Sequence, residues 1–238
     1  MKHVIGLSGG KDSTAMALRL VETEPRDYEF ICTPTGNELP VMVEHWANLE
    51  RLLGKPLKML RSDDMDLFGL IAQMGMLPNF RARWCTRILK IEPTIEYMQS
   101  LPPGSVMYVG LRADEEERQG IFGEDLQLDF PMRRWGWGES DVWAYLNKRG
   151  VKIPNRSDCA VCYGQRLGEW FALWKKNPEE FAKGEYLELM LGHTFRSAQR
   201  DTWPASMAGL RARFEAGDIP RGAEAAMRED GACRVCKL

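Results

Sequence analysis

Residues Ser8-Gly9-Gly10-Lys11-Asp12-Ser13 stand directly after the apolar run Val4-Ile5-Gly6-Leu7 and directly before the helix-forming stretch Thr14-Ala15-Met16-Ala17-Leu18-Arg19-Leu20. A strand that feeds a glycine-rich turn and then a helix constrains the fold more than any other feature of the chain. The glycines let backbone N–H groups converge on an anion, the helix N-terminus adds its dipole, and Lys11 adds a full charge. Ser8 and Ser13 bring hydroxyls to both ends of the turn. The spacing is not that of the Walker loop, which puts a longer spacer before its Gly-Lys-Ser/Thr. A glycine turn merely capped by Ser and Asp is the alternative, and the strand–turn–helix context favours phosphate over it.

Apolar runs alternate with helical patterns through the first two thirds of the chain. Strands are expected at residues 3–7, 28–33, 57–60 and 106–111, and helices near 13–23, 40–53, 65–75 and 90–100. This alternation implies an α/β fold, Rossmann-like, with a mostly parallel sheet covered on both faces. Ligands bind such sheets at the carboxyl ends of the strands, where the turn at 8–13 falls. Residues 139–149 read as a short amphipathic helix with Ser140 as cap and Gly150 as stop. From about residue 165 the strand signal ends. Helical patterns follow at 169–174, 178–192 and 204–216, then the breaker Gly217-Asp218-Ile219-Pro220 and the tail Cys233-Arg234-Val235-Cys236-Lys237-Leu238. Two units are therefore expected, a nucleotide-binding domain at 1–165 and a helical C-terminal extension at 166–238.

The 238 residues suit one large domain or one and a half, and 44% hydrophobic with 28% charged residues is a soluble-globular balance. A net charge of −2 gives no general attraction to nucleic acid, so any basic surface must be local. No apolar stretch nears the roughly 18 residues of a membrane span. Met1-Lys2-His3 runs straight into the first strand and leaves no room for a signal peptide, so a cytoplasmic location is expected and no membrane partner. Six cysteines in such a chain argue against a disulfide framework. Cys159/Cys162 and Cys233/Cys236 form two Cys-x-x-Cys pairs, Cys85 sits beside a basic run, and Cys32 lies in an apolar strand as a core residue. His3, His45 and His193 are scattered and take no role, and most of the eight tryptophans fall at helical spacing among Leu and Phe, as core residues do.

The turn at 8–13 resembles the PP-loop, SGGxDS, of enzymes that handle the α-phosphate of adenine nucleotides. Further stretches, in order, resemble the phosphoadenosine phosphosulfate (PAPS) reductase family within that group, whose fold is of the adenine nucleotide alpha-hydrolase type. These are Thr35-Gly36-Asn37-Glu38, Cys85 to Pro93 with Lys90 between them, Gly110-Leu111-Arg112 with Glu115 and Arg118, Pro131, Trp137, Asp141-Val142-Trp143, and Cys159-Ala160-Val161-Cys162. The likeness covers roughly residues 3–165, and two extra residues separate Pro131 from Trp137. It implies a nucleotide site made of Ser8, Gly9, Gly10, Lys11, Asp12, Ser13, Thr35, Gly36, Glu38, Lys90, Gly110 and Arg112. Lys11, Arg87, Lys90, Arg112 and Arg118 are the cations for a polyphosphate, with Arg81 and Arg83 close in sequence. Asp12 is expected to orient Lys11 or a water on Mg²⁺, with Glu38 or Glu115 as a second carboxylate.

In the cluster-containing branch of the family a Cys-Cys pair and a later Cys-x-x-Cys hold a [4Fe–4S] cluster. Trp84 replaces the first cysteine here, which leaves Cys85, Cys159 and Cys162 as the implied ligands and one iron open, or closed by Cys233 or Cys236. Two alternatives stand beside it: a zinc site made of the two Cys-x-x-Cys pairs, or unmetallated thiols with a redox or persulfide-carrying tail. The implied activity is that of an ATP pyrophosphatase with Lys11, Asp12, Arg112 and Arg118 as its catalytic set, adenylating an acceptor ahead of sulfur transfer to a nucleic acid. A cysteine desulfurase or other thiol donor is the implied partner, and the oligomeric state stays open, a homodimer included. The runner-up is an adenylyl sulfate or PAPS reductase that releases sulfite, with Cys233 or Cys236 as nucleophile. The chain lacks the terminal Glu-Cys-Gly-x-His that such reductases share. A non-catalytic nucleotide-binding subunit is the third reading.

Overall fold

A computed structural model describes residues 1–61, 65–115, 117–118 and 126–228. A five-stranded sheet with the order β3-β2-β1-β4-β5 forms its centre, every pairing parallel. The strands are β1 (His3–Gly6), β2 (Tyr28–Cys32), β3 (Leu57–Met59), β4 (Val106–Tyr108) and β5 (Leu128–Asp129). His3 of β1 registers with Tyr28 on one side and Val106 on the other. The chain runs outward from β1 through β2 to β3, then crosses to the opposite side for β4 and β5. Strand order therefore reverses between β1 and β4, which opens a crevice at their carboxyl ends.

Side-chain alternation sorts the strand residues to two faces. Ile5, Phe30 and Tyr108 pack with Met16 and Leu20 of α1 (Lys11–Thr23) and Met42 and Leu49 of α2 (Pro40–Leu53). Val4, Ile31 and Met107 pack on the other face with Met98 of α5 (Glu92–Gln99). A third core joins Leu67 and Leu70 of α3 (Leu67–Met74) and Trp84 of α4 (Trp84–Thr86) to the later helices. From these it gathers Trp170 of α8 (Leu167–Lys176), Phe181 of α9 (Pro178–Leu191) and Phe214 of α10 (Met207–Glu215). Between α3 and α8 lie α6 (Pro131–Arg134) and α7 (Glu139–Lys148), and α11 (Ala223–Met227) closes the described chain.

Several boundaries depart from the sequence reading for local reasons. α1 begins at Lys11, not residue 13, because Gly10 is extended and caps it, so Lys11, Asp12 and Ser13 form its first turn. The helix expected at 90–100 begins at Trp84 and contains a π-helical segment, Arg87–Ile91, between α4 and α5. π segments recur at functional sites because the extra residue re-aims side chains. Gly138 caps α7 rather than Ser140, its N–H donating to Asp141 Oδ2 at 2.9 Å. β5 was not expected; its two residues carry no readable period. Cys32 is buried in the core as expected. Cys233 and Cys236 lie outside the described residues. Among the described residues no helix is long and apolar enough to cross a membrane.

Candidate functional site

Between β1 and α1 the chain turns through Leu7-Ser8-Gly9-Gly10. Leu7 extends the ladder by donating its N–H to Ile31 O at 2.8 Å, so the turn starts from a fixed point. Gly9 has φ +84°, and a Cβ there would stand 2.8 Å from Trp46 Nε1 and 2.9 Å from Met42 Cε. Only glycine fits under α2 at this point. Trp46 Nε1 donates to Ser8 O at 3.1 Å, and the neighbouring His45 ring hydrogen-bonds the Gly9 backbone. Burial lowers the His45 pKa and the Gly9 contact opposes it, leaving the ring neutral near pH 7. At the other end Ser13 Oγ donates to Gly10 O at 3.2 Å and lies 3.1 Å from Ser8 Oγ.

Gly110, just after β4, packs on the start of α1, where a Cβ would come within 3.1 Å of Ser13 N. This close approach brings the following loop over the PP-loop. Arg112 Nη1 donates to Asp12 Oδ2 at 3.0 Å, and Lys11 Nζ donates to the same oxygen at 3.0 Å. Arg112 Nε also donates to Asp114 Oδ1 at 2.8 Å. Burial works against the Arg112 charge, but Asp114, Asp12 and Glu115 outweigh it and push its pKa up. Arg118 Nη1 donates to Glu115 Oε1 at 2.8 Å, and Arg133 of α6 holds this loop from beneath through Glu115 O at 2.8 Å. Lys11 is nearly buried and lies 3.6 Å from Glu139. Two cations thus share one carboxylate oxygen, and the other, Asp12 Oδ1, is enclosed with no hydrogen-bond partner among the described residues. An orphaned, buried carboxylate oxygen beside a phosphate loop fits a water of hydrated Mg²⁺.

The crevice at the strand ends is a cavity of about 170 Å³. Ser8, Gly10, Lys11, Asp12, Ser13, Lys90, Gly110 and Arg118 line it, all expected from the sequence. Ser157 and Thr33 join them unexpectedly. Gly9, Thr35, Gly36, Glu38 and Arg112 do not line it; Arg112 reaches it only through Asp12. Glu38 Oε1 accepts from Thr35 N at 2.6 Å and Thr35 Oγ1 at 2.7 Å, and Oε2 accepts from Gly36 N at 3.0 Å, so the carboxylate closes its own turn. That turn grips the first Cys-x-x-Cys. Glu38 bridges Cys159, Ala160 N donates to Asn37 O at 2.6 Å, Asn37 Nδ2 donates to Val161 O at 2.9 Å, and Thr35 Oγ1 lies 3.3 Å from Cys159 Sγ. Arg156 completes the clasp, donating to Asp158 Oδ1 at 2.9 Å and Cys159 O at 2.7 Å. Arg87 is turned outward and pairs with Glu92 at 3.3 Å, and Arg81 and Arg83 are exposed.

Burial raises the thiol pKa of Cys85 and of Cys162, and takes Cys159 to about 11 against the opposing pull of Lys90 and Thr35. Lys90, on the π segment, acts on Cys85 as well, so one ammonium serves both the cavity and the thiols. Among the described residues no group of three His, Cys, Asp or Glu side chains is arranged to hold a metal ion. The structure therefore does not show an iron–sulfur site at Cys85, Cys159 and Cys162, and Cys233 and Cys236, either of which is expected to close it, lie outside the described residues. The zinc alternative needs Cys233 and Cys236, which lie outside the described residues.

The phosphoadenosine phosphosulfate reductase domain profile matches residues 2–155. The chain belongs to this family. Its PP-loop, parallel sheet and strand-end crevice are the reductase-domain family's nucleotide-utilising fold. The chain is 23% identical over 196 residues to "Uncharacterized protein MJ0066" of Methanocaldococcus jannaschii, covering 76% of this chain and 40% of that protein. It thus spans well under half the length of that relative. A 37.8 kDa uncharacterised protein of Escherichia phage 186 is 22% identical over 280 residues, covering 88% of this chain and 81% of that one. Among solved structures, the PAPS reductase of Candida auris in a phosphate complex superposes with a TM-score of 0.53 at 14% identity, over 64% of this chain and 75% of that one. At that identity the likeness is one of fold. Thr33, Ser157, Trp46, His45 and Arg133 are the site residues that sequence reasoning missed. Each reaches the loop from a distant element, and nothing in its local sequence marks it.

Proposed function

We propose that this family member is an ATP pyrophosphatase that adenylates an acceptor as the first half of a sulfur transfer. The observation that carries the reading is the adjacency of the phosphate loop to the thiol loop. Ser157 lines the nucleotide cavity, its Oγ 3.1 Å from where a Cβ on Gly10 would stand, and Cys159 follows two residues later. In the proposed step an acceptor oxygen bonds to the α-phosphorus of ATP as the bond to the β-phosphate oxygen breaks and pyrophosphate leaves. A sulfur nucleophile from a desulfurase persulfide or another thiol donor then bonds to the acceptor atom that carries this oxygen. The bond from that atom to the oxygen breaks, and AMP departs with the oxygen. Where the donor is a persulfide, a second thiol cleaves the S–S bond left to the donor and is itself oxidised to the disulfide. The chain's share is positioning and charge. The loop amides and Lys11 hold the phosphates, and Arg112 and Arg118 turn from Asp12 and Glu115 to the departing pyrophosphate. Asp12 is the residue to hold hydrated Mg²⁺, which supplies neutralisation of phosphate charge when bound. No step is assigned to an iron–sulfur cluster, since among the described residues no group of three His, Cys, Asp or Glu side chains is arranged to hold a metal.

A nucleic acid acceptor is the finer part of the reading. Segments 76–80 and 193–200 enclose a cavity of about 460 Å³ that contains His193, Arg196 and Arg200. At its edge Phe80 is 68% exposed, next to exposed Arg81 and Arg83, and its ring lies 5.0 Å from that of Tyr163, which directly follows Cys162. An exposed aromatic among arginines is the surface that stacks bases and tracks a phosphate backbone. The reading is tested by pyrophosphate release from ATP in the presence of candidate acceptors. Release that depends on acceptor and disappears in Lys11→Ala supports it; sulfite release from an adenylyl sulfate, with no pyrophosphate from ATP, replaces it with the reductase.

A further inference from the structure

A second cavity, of about 470 Å³, lies behind the phosphate loop between α2, residues 152–156, α8 and the end of α11. No residue lines both this cavity and the nucleotide crevice. Its volume falls in the range of small-ligand sites, about 300–1,000 Å³. Leu39, Ile153 and Leu173 give it an apolar wall. Lys152, Arg156, Lys176 and Arg228 bring four positive charges, and Glu44 is the one carboxylate in the wall. Arg156 is balanced by Asp158. Lys152, Lys176 and Arg228 enter no ion pair among the described residues, although Lys176 Nζ donates to Met227 O at 2.7 Å. Lys152, Lys176 and Arg228 are exposed at the rim of the cavity, so an anion entering it meets three positive charges that no carboxylate of the described residues neutralises. Independently, His45 lines the cavity while 95% buried, and its Nε2 has no hydrogen-bond partner among the described residues.

We propose that this cavity is a second ligand site, for an organic anion with an apolar body. Its walls touch both halves of the candidate active site. His45 hydrogen-bonds the Gly9 backbone, and Arg156 holds Cys159 O at 2.7 Å. A ligand here lies beside the phosphate loop and the thiol loop without entering the crevice.

The test uses the full chain and the fluorescent sulfonate 8-anilinonaphthalene-1-sulfonate, an apolar body with one negative charge. The dye is titrated with and without saturating ATP and Mg²⁺. The expected result is one saturable class of bound dye that persists with nucleotide and in Lys11→Ala, and weakens at least about tenfold in Lys152→Glu/Arg228→Glu, two exposed rim positions whose substitution is checked for folding by circular dichroism. Asn48→Trp, which fills the cavity from α2 with no charge change, is expected to abolish binding. Dye displaced by nucleotide or lost in Lys11→Ala, or dye binding unchanged in both cavity variants, overturns the proposal. The readout is binding alone, so it stands or falls separately from the pyrophosphatase reading.

Discussion

Gly9→Ala probes the loop's backing directly. The left-handed backbone at φ +84° costs an L residue roughly 1–2 kcal/mol. The added Cβ would meet Trp46 Nε1 at 2.8 Å and Met42 Cε at 2.9 Å. The Met42 methyl is the end of a flexible chain and can move aside. Trp46 can retreat only by releasing its hydrogen bond to Ser8 O. Overpacking of this kind costs about 1–3 kcal/mol, so the substitution should cost about 2–5 kcal/mol in all. Against a typical total stability of about 5–15 kcal/mol, the variant is expected to fold with a clearly lower denaturation midpoint. Displacing Ser8 and Gly10 should also weaken binding of ATP with Mg²⁺ by at least about tenfold, or about 1.4 kcal/mol, in calorimetry. Adding Met42→Ala relieves the softer contact, so a double-mutant cycle should give a favourable coupling of about 1 kcal/mol while nucleotide binding stays impaired. A Gly9→Ala chain that unfolds at the parent's midpoint and binds ATP as tightly would refute the reasoning.

Other consequences follow from charges that the fold buries. If Arg112 leaves Asp12 for the departing pyrophosphate as proposed, Arg112→Ala should leave the fold intact and lower pyrophosphate release by about a hundredfold, read as a fall in kcat. Asp158→Ala leaves Arg156 buried without its carboxylate and should cost about 3–5 kcal/mol in urea unfolding. Glu188, which accepts from Phe195 N at 2.9 Å and Met207 N at 2.6 Å, is pushed up to about 7 by burial from an ordinary value of 4.5. The folded state therefore holds its proton more tightly than the unfolded chain does. Stability from this group is complete below pH 4.5 and is lost as pH rises towards 7. Thermal melts of the parent should show that loss, and Glu188→Gln should flatten it.

The parts of the site that the sequence makes legible are local in the chain. The strand–turn–helix at 3–23 declares itself because the apolar run, the glycines and the helix start are consecutive. The same holds for Gly110 to Arg118, where Arg112 and Glu115 meet within one short loop. Interactions that form only on folding leave no such mark. Thr35 and Cys159 are 124 residues apart, and nothing at either position predicts that the Thr-Gly-Asn-Glu turn clasps a thiol loop. Trp46 reads as a helix core residue and is one, yet its indole N–H also fixes Ser8. α1 starts before the apolar period begins because its first turn is polar for function, and periodicity follows burial, not caps. The helical patterns after residue 165 were readable, but not their sharing of one core with Leu67 and Trp84, since packing partners are not encoded in spacing.

The central claim is that the crevice takes ATP as a source of energy and not an adenylyl sulfate as substrate. Anaerobic calorimetry of the full chain, titrating ATP with Mg²⁺ against the adenylyl sulfates in parallel, measures this most directly. Tight, Lys11-dependent binding of ATP with weak binding of the sulfate esters is the predicted result. Tight binding of an adenylyl sulfate with no measurable affinity for ATP would contradict it.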